Sequence, residues 1–327
     1  MRIAIVRLSA LGDIVQSMIV LQFIKKNYPN AEIDWVVDKK FSEVVLLNDS
    51  VDRVIEISLN KTKSTRSLRA LYEIFSRLKK LPKYDLVIDI QGLIKSSLVS
   101  YFIPSDKTFG FDRSSLREPL SSFLYSHKYN IPYEENVIKR YVYLVSKALN
   151  IKITNKDILN KETFFSSRKK SKKNRMAISI VIGASFSGKI YPVQNYDVLF
   201  ENIDADFLCL WGNSLEYELA INISKKFNNV EVSKKTSISD LIDIVNKSNL
   251  VIGGDTGPTH LAWALNVPSI TLFGATSGKR NMFVTQINRK LESSSNVNIR
   301  KINKSDKSIS DIQPMEILVL ARKLLGI

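Results

Sequence analysis

Short apolar runs alternate along this chain with longer stretches of helical periodicity. Ile3 to Val6 forms the first run, apolar positions recur at helical spacing from Ile14 to Lys26, and Ile33 to Val37 forms the second run. Strand, helix and strand in that order predict a βαβ unit, because two parallel strands need a crossover connection that a helix can supply. Further runs at Val54 to Ile57 and Leu86 to Ile90, with Gly110-Phe111 as the start of another, extend the series. The first half therefore predicts a parallel sheet covered by helices.

The alternation stops between Lys161 and Arg175, where Arg168-Lys169-Lys170-Ser171-Lys172-Lys173-Asn174-Arg175 places six cations in eight residues. Strand-like runs resume at Met176 to Ile182, Phe207 to Trp211, Val230 to Val232, Leu250 to Ile252 and Ser269 to Phe273, again with helical patterns between them. Met315 to Leu325 reads as an amphipathic helix. The expected organisation is α/β: a first Rossmann-like domain at 1–165, a basic linker at 166–175, a second at 176–312, and a C-terminal helix at 313–327 that packs back on the body. Open sheets of this kind bind ligands at the carboxyl ends of their strands, and two such sheets facing each other predict a central cleft.

Composition agrees with this reading. A chain of 327 residues exceeds what one hydrophobic core usually supports. Its 44% hydrophobic and 24% charged residues exclude a disordered or fibrous class. Cys209 is the single cysteine and lies inside an apolar run, so a disulfide framework and a cysteine metal site are excluded. His127 and His260 are the only histidines and have no clustered acidic partners in sequence, so no metal site is expected. The amino terminus enters a strand pattern without the features of a signal peptide, and no apolar stretch approaches the ~20 residues that span a bilayer. The expected location is cytoplasmic. Charge adds something new: 48 Lys and Arg against 32 Asp and Glu give a net +16, which suits a nucleic acid, an anionic membrane face or a phosphorylated substrate. A solvated lysine-rich surface is the alternative.

The most informative stretch is Gly253-Gly254-Asp255-Thr256-Gly257-Pro258-Thr259-His260, where an apolar strand enters a glycine turn and a helix starts at Pro258 or Thr259. Free N-H groups and the positive end of a helix dipole there suit a phosphate. Asp255 does not suit a phosphate, and sugar hydroxyls are its more natural donors; simple helix capping by Asp255 and Thr256 is the alternative. Upstream, Gly183-Ala184-Ser185-Phe186-Ser187-Gly188-Lys189 surrounds one lysine with small and hydroxyl residues after the first strand of the second half. It is not a Walker loop, because one glycine is missing and Ile190 stands where Ser or Thr is required. Trp211-Gly212-Asn213-Ser214-Leu215-Glu216 follows another strand and offers Glu216 to ribose hydroxyls. In the first half, Leu8 to Asp13 joins strand to helix, and Asp13 is either a helix cap or a base for an attacking hydroxyl.

Taken together, Leu11-Gly12-Asp13-Ile14-Val15, Asp89-Ile90-Gln91-Gly92-Leu93-Ile94-Lys95-Ser96, Leu116-Arg117-Glu118-Pro119-Leu120, Trp211-Gly212 and Asp255-Thr256-Gly257-Pro258-Thr259-His260-Leu261-Ala262 resemble the lipopolysaccharide heptosyltransferases of glycosyltransferase family 9, in order along nearly the whole chain. The Gln-Gly-Leu and Arg-Glu-Pro-Leu stretches resemble the branch that adds the first heptose. The resemblance implies a GT-B fold and an inverting transfer of L-glycero-D-manno-heptose from ADP-heptose to Kdo of Kdo-lipid A. ADP-heptose is then a co-substrate, and no cofactor is implied. It implies Asp13 as general base and Lys189 at the donor phosphate and sugar. Ser185, Glu216, Thr236, Asp255, Thr256, Gly257 and His260 complete the donor set, with Glu216 at the ribose, Thr236 near adenine and Asp255 at the heptose. Two departures from the family pattern are Ser187-Gly188 before the lysine, where acidic residues are frequent, and Tyr191, where tryptophan is usual. An acceptor bearing phosphates and carboxylates also accounts for the basic residues of the first half: Lys61, Lys63, Arg66 and Arg69 form the nearest set, with Arg117 and Arg140 as matches to the family's acceptor side. The implied place is peripheral, on the inner face of the inner membrane. A second-heptose or other GT-B nucleotide-sugar transferase is the nearer alternative; a nonenzymatic nucleic-acid-binding protein is the distant one.

Overall fold

The computed structural model describes residues 1–59, 68–166 and 175–327. Lys61, Lys63 and Arg66, and residues 167–174 of the basic segment, lie outside the described residues. The chain divides into two compact units, Met1–Phe164 and Phe165–Ile327.

The first unit contains β1 (Arg2–Val6), β2 (Glu32–Asp38), β3 (Arg53–Ile57), β4 (Tyr84–Asp89), β5 (Ser105–Phe111) and β6 (His127–Tyr129). They form one parallel sheet in the order β3-β2-β1-β4-β5-β6. The second unit repeats this plan with β7 (Ala177–Val181), β8 (Asp206–Leu210), β9 (Val230–Val232), β10 (Leu250–Gly254), β11 (Ser269–Phe273) and β12 (Asn288–Glu292), ordered β12-β11-β10-β7-β8-β9. In each unit the first strand lies mid-sheet and the chain reverses its direction of travel beside it. That switch point lies between β1 and β4 in one unit and between β7 and β10 in the other, and open sheets of this kind bind ligands outside the carboxyl edge there.

Burial explains the strands. Ile3, Ala4, Ile5 and Val6 are all fully buried, as are Leu250, Val251 and Ile252, because helices cover both faces of a parallel sheet. Cys209 is buried in β8, and burial pushes its thiol up to about 12, so it behaves as a small core residue. The C-terminal helix Pro314–Leu325 places Ile317, Leu318 and Ala321 in the second unit's core and ends at Gly326, whose φ of 76° is the left-handed conformation that glycine adopts without strain.

The structure differs from the sequence pattern in three places. The single helix expected over Ile14 to Lys26 is two, Leu11–Ser17 and Ile19–Asn27. The Ser17 hydroxyl donates back to the Ile14 carbonyl, a local competition that disturbs the helical ladder there. Gly110-Phe111 ends β5 rather than starting a strand, since the amino end of β5, Ser105 to Thr108, is polar. The edge strands β6 and β12 carry no apolar run at all.

Candidate active site

The loops following five neighbouring strands of the second sheet, β11, β10, β7, β8 and β9, all leave from its carboxyl edge. The β7 loop carries Ser185 and Lys189, the β8 loop Glu216, the β9 loop Thr236, and the β10 loop Asp255, Thr256 and Gly257. Lys189 reaches across the switch point: its ammonium lies 2.8 Å from the Asp255 carboxylate and donates to the Asp255 carbonyl oxygen at 2.9 Å. These two contacts use two of its three N-H donors. The approach depends on Gly254, where a Cβ would run into the Lys189 carbonyl oxygen.

Asp255 is 4% exposed and is the hub of this cluster. One carboxylate oxygen accepts from His260 Nε2 at 2.9 Å; the other accepts from Thr276 Oγ1 at 2.9 Å and Asn281 Nδ2 at 3.1 Å as well as facing Lys189. Burial pushes the carboxyl up, but the Lys189 charge and the His260 hydrogen bond more than offset it and hold Asp255 well below the usual carboxylate range. The carboxylate is ionised, so it accepts from His260, whose Nε2 carries the proton. Asp255 thus fixes Lys189, His260, Thr276 and Asn281 in one constellation, a positioning function that adds to the sugar contact expected of it.

The helix Gly257–Ala264 starts one or two residues earlier than the pattern suggests. The Gly257 N-H heads its first turn, where no intrahelical acceptor exists, and Pro258 follows without an N-H to satisfy. Thr259 Oγ1 accepts from Thr256 N-H at 3.3 Å and donates to the Gly254 carbonyl at 3.0 Å, which ties turn to helix. Glu216 is 7% exposed; its carboxylate accepts from Gly212 N-H at 2.7 Å and Asn213 Nδ2 at 2.6 Å. It lies so close to Gly183 that a Cβ there would collide with it. The Trp211 indole donates to the Ser233 carbonyl at 2.7 Å, tying the β8 loop to the β9 loop that bears half-buried Thr236. Ser185 is exposed. Lys189, Asp255 and His260 are in direct contact, whereas Glu216 belongs to a separate cluster with Gly212 and Asn213.

In the first unit Asp13 occupies the equivalent switch point, after β1, with its side chain 45% exposed. Buried Arg7 pairs with it at 2.8 Å and donates to the Ile90 carbonyl at 3.4 Å. Burial works against the charge on Arg7, but Tyr141, Asp13 and Asp89 together raise its pKa above the ordinary value. Leu8 N-H donates to Gln91 Oε1 at 2.7 Å and Lys95 Nζ to Ser9 Oγ at 3.0 Å, so the loops after β1 and β4 are stitched together. Asp89 is fully buried and accepts from Tyr125 Oη at 2.7 Å, Gln91 N-H at 2.8 Å and Gly92 N-H at 3.1 Å. Gly92 has φ +70°, and a Cβ there would meet Leu116 at 2.5 Å, so the turn requires glycine.

Of the acceptor-side residues that are described, Arg69 is exposed and pairs with Glu73 at 3.1 Å, and Arg117 is 47% exposed beside Glu118. Arg140 is a correction. It is 5% exposed, donates to the carbonyls of Ile131 at 3.0 Å, Pro132 at 2.7 Å and Ser115 at 2.7 Å, and stacks on Phe111 and Tyr133. Three of its five N-H donors hold the loops after β5 and β6, and its burial against two rings keeps the guanidinium from the surface where an acceptor would meet it. The sequence reading missed Arg7, Asn213, Thr276 and Asn281. Arg7 had a signal, a cation directly after the apolar run Ile3 to Val6, and Thr276 follows β11 on the same edge as the residues that were found. Among the described residues no three His, Cys, Asp or Glu side chains are grouped to hold a metal ion, and no helix is long and apolar enough to cross a membrane.

The model of glycosyltransferase family 9 (heptosyltransferase) matches residues 72–310. The lipopolysaccharide heptosyltransferase 1 of Campylobacter coli is 41% identical, with 100% of this chain and 99% of that protein covered. The protein of the same name from Pseudomonas aeruginosa is 28% identical over 85% of this chain and 79% of its own length. Among solved structures, E. coli heptosyltransferase WaaC with ADP aligns at a TM-score of 0.82 and 23% identity, covering 99% of this chain and 100% of that one. E. coli ADP-heptose heptosyltransferase II aligns at 0.71 and 17% identity, covering 99% and 98%. These likenesses assign the fold to the GT-B class.

Proposed function

The chain belongs to glycosyltransferase family 9, the heptosyltransferases, and from that premise we propose that it transfers L-glycero-D-manno-heptose from ADP-heptose to a Kdo hydroxyl of Kdo-lipid A. It is a glycosyltransferase that adds heptose in the lipopolysaccharide inner core. The observation that carries the finer reading is the 41% identity to a lipopolysaccharide heptosyltransferase 1 along the whole chain. ADP-heptose as donor draws further support from E. coli WaaC, solved with ADP and with ADP-2-deoxy-2-fluoro heptose.

The chemistry is a displacement at the anomeric carbon with inversion. The bond from Kdo oxygen to that carbon forms, the bond to the phosphate oxygen breaks, and ADP leaves with the electron pair. Asp13 takes the proton of the attacking hydroxyl, since its carboxylate is half-exposed and oriented by Arg7; a positioned base of this kind contributes ~10²–10⁴ in rate. The third N-H of Lys189 and the N-H of Gly257 meet the charge that develops on the departing phosphate. Preorganised donors of this type are each worth ~10²–10³ in rate. Because the leaving charge is met by an ammonium and a helix start, the reading calls for no cofactor. Glu216 accepts from the ribose, and Arg69 and Arg117 remain as acceptor contacts, acting peripherally at the inner membrane face.

The test is incubation of the purified full chain with ADP-heptose and Kdo-lipid A, followed by mass spectrometry of the lipid. A gain of one heptose is expected, with UDP- and GDP-sugars giving none. Transfer from those sugars, or transfer only to an acceptor already bearing heptose, overturns the donor or acceptor assignment.

A further inference from the structure

Two neighbouring elements of the first unit are built inside out. In the helix Ile94–Phe102, Ser96, Ser97 and Ser100 are buried together with Val99, while Ile94 is 40% and Tyr101 59% exposed. Ile94, Leu98 and Tyr101 are spaced i, i+4, i+7 and so share one face. A surface helix ordinarily buries that stripe and exposes its serines. Here the serines go inward because their hydroxyls are satisfied locally: Ser97 Oγ donates to the Ile94 carbonyl at 3.0 Å and Ser100 Oγ to the Ser96 carbonyl at 3.0 Å. The 3-10 turn Pro119–Leu124 repeats the inversion, with Ser121 and Ser122 buried while Leu120 is 65% and Phe123 66% exposed. Positions three apart eclipse in such a turn, so Leu120 and Phe123 also share a face.

The two elements pack on each other, and Ile94 N-H donates to Glu118 Oε2 at 2.8 Å, joining the start of one to the start of the other. Cations stand at both ends of the apolar strip. Lys128 Nζ is 6.0 Å from the Phe123 ring, and Lys79 Nζ is 5.1 Å from the ring of Phe102, against which Tyr101 packs edge-on. We propose that the surface formed by Ile94, Leu98, Tyr101, Leu120 and Phe123 docks into the interface of an anionic lipid bilayer, with Lys79 and Lys128 at the headgroups.

Apolar side chains flanked by lysines are the composition that enters a headgroup boundary, where apolar burial and attraction to anionic lipid add. A twofold contact of this strip with itself would set cations against cations at either end, which disfavours a second copy as occupant. The inference rests on the proposed lipid acceptor, since docking brings the first unit to the surface in which that acceptor is held.

Flotation of the full-length protein with vesicles of phosphatidylcholine, with and without phosphatidylglycerol, tests it. The vesicles contain no Kdo and no ADP-heptose is added, so failure of the transferase reading leaves the result intact. Wild type is expected to float with the phosphatidylglycerol vesicles and much less with phosphatidylcholine alone. Tyr101→Ser combined with Phe123→Ser weakens flotation about tenfold or more, and Lys79→Glu combined with Lys128→Glu abolishes the phosphatidylglycerol dependence. Both paired variants keep the wild-type circular dichroism spectrum and the wild-type rate on a water-soluble Kdo acceptor without acyl chains. Absence of wild-type flotation, equal flotation of the serine variant, or a wild-type dimer that the serine variant dissociates would each overturn the proposal.

Discussion

Replacing Asp255 by Asn is the sharpest test of the donor-side cluster, because it keeps the shape and removes the charge. The Asp255 side chain is 3% exposed and that of Lys189 17%, so the substitution strands an ammonium with little water to compensate. Removing one partner of a buried pair costs about 3–5 kcal/mol, and the residual access of water to Lys189 favours the lower end, ~3 kcal/mol. For a unit of this size each kcal/mol moves the melting temperature by ~2–4 °C, so calorimetry at neutral pH should show a loss of about 6–12 °C. The pH dependence carries a sign. A carboxyl whose folded pKa is depressed contributes stability that is present above its unfolded value of 3.8 and is lost as pH falls through the folded value. The gap between wild type and Asp255→Asn should therefore be full at pH 5 and above, about one unit clear of the unfolded value, and narrow below it. Adding Lys189→Met removes the stranded charge, so the double variant should lose less than the sum of the singles. An unchanged melting temperature at neutral pH, a gap that does not narrow in acid, or strict additivity with Lys189→Met would refute the account.

Asp13→Ala should lower transfer by ~10²–10⁴ while calorimetric ADP affinity stays at the wild-type level. Arg7→Met should slow transfer in the wild-type background and add little in Asp13→Ala, a coupling that double-mutant kinetics would show if Arg7 acts through Asp13. Gly183→Ala drives a methyl into the Glu216 carboxylate and should cost ~1–3 kcal/mol in urea unfolding, together with weaker ADP binding. Arg140→Met leaves the carbonyls of Ser115 and Ile131 without their donor, while the Pro132 carbonyl keeps the Glu135 N-H. It should destabilise the first unit by ~3 kcal/mol without raising the KM for acceptor in the folded fraction.

What was legible in the chain follows from burial. Central strands such as β1 and β10 are covered on both faces, so their runs are continuously apolar and nearly every residue announces the strand. Edge strands β6 and β12 have a free side and carry His-Lys-Tyr and Asn-Arg-Lys-Leu-Glu, which is ordinary protection of an edge but invisible to a search for apolar runs. The same asymmetry runs through the site. Lys189, Glu216 and Asp255 could be located because each follows a strand and the carboxyl edge is where ligands bind. Their partners could not, because Thr276 and Asn281 meet Asp255 through folding alone, 21 and 26 residues away in the chain.

Charge and periodicity each answer a narrower question than they seem to pose. A cation in the acceptor half reads as a ligand for an anion, yet Arg140 spends its donors on backbone carbonyls and lies against two aromatic rings. Arg69 and Arg117 carry the same charge and stay at the surface. Only packing separates the two kinds. Periodicity likewise finds a face without saying which way it points. Ile94, Leu98 and Tyr101 fall on one stripe that a helix in water should bury, and the fold buries the serines instead, because small side chains that bond their own backbone allow close approach to the sheet. With the adjacent turn inverted in the same way, the exposed apolar side chains are a shared feature of two packed elements rather than an accident of one.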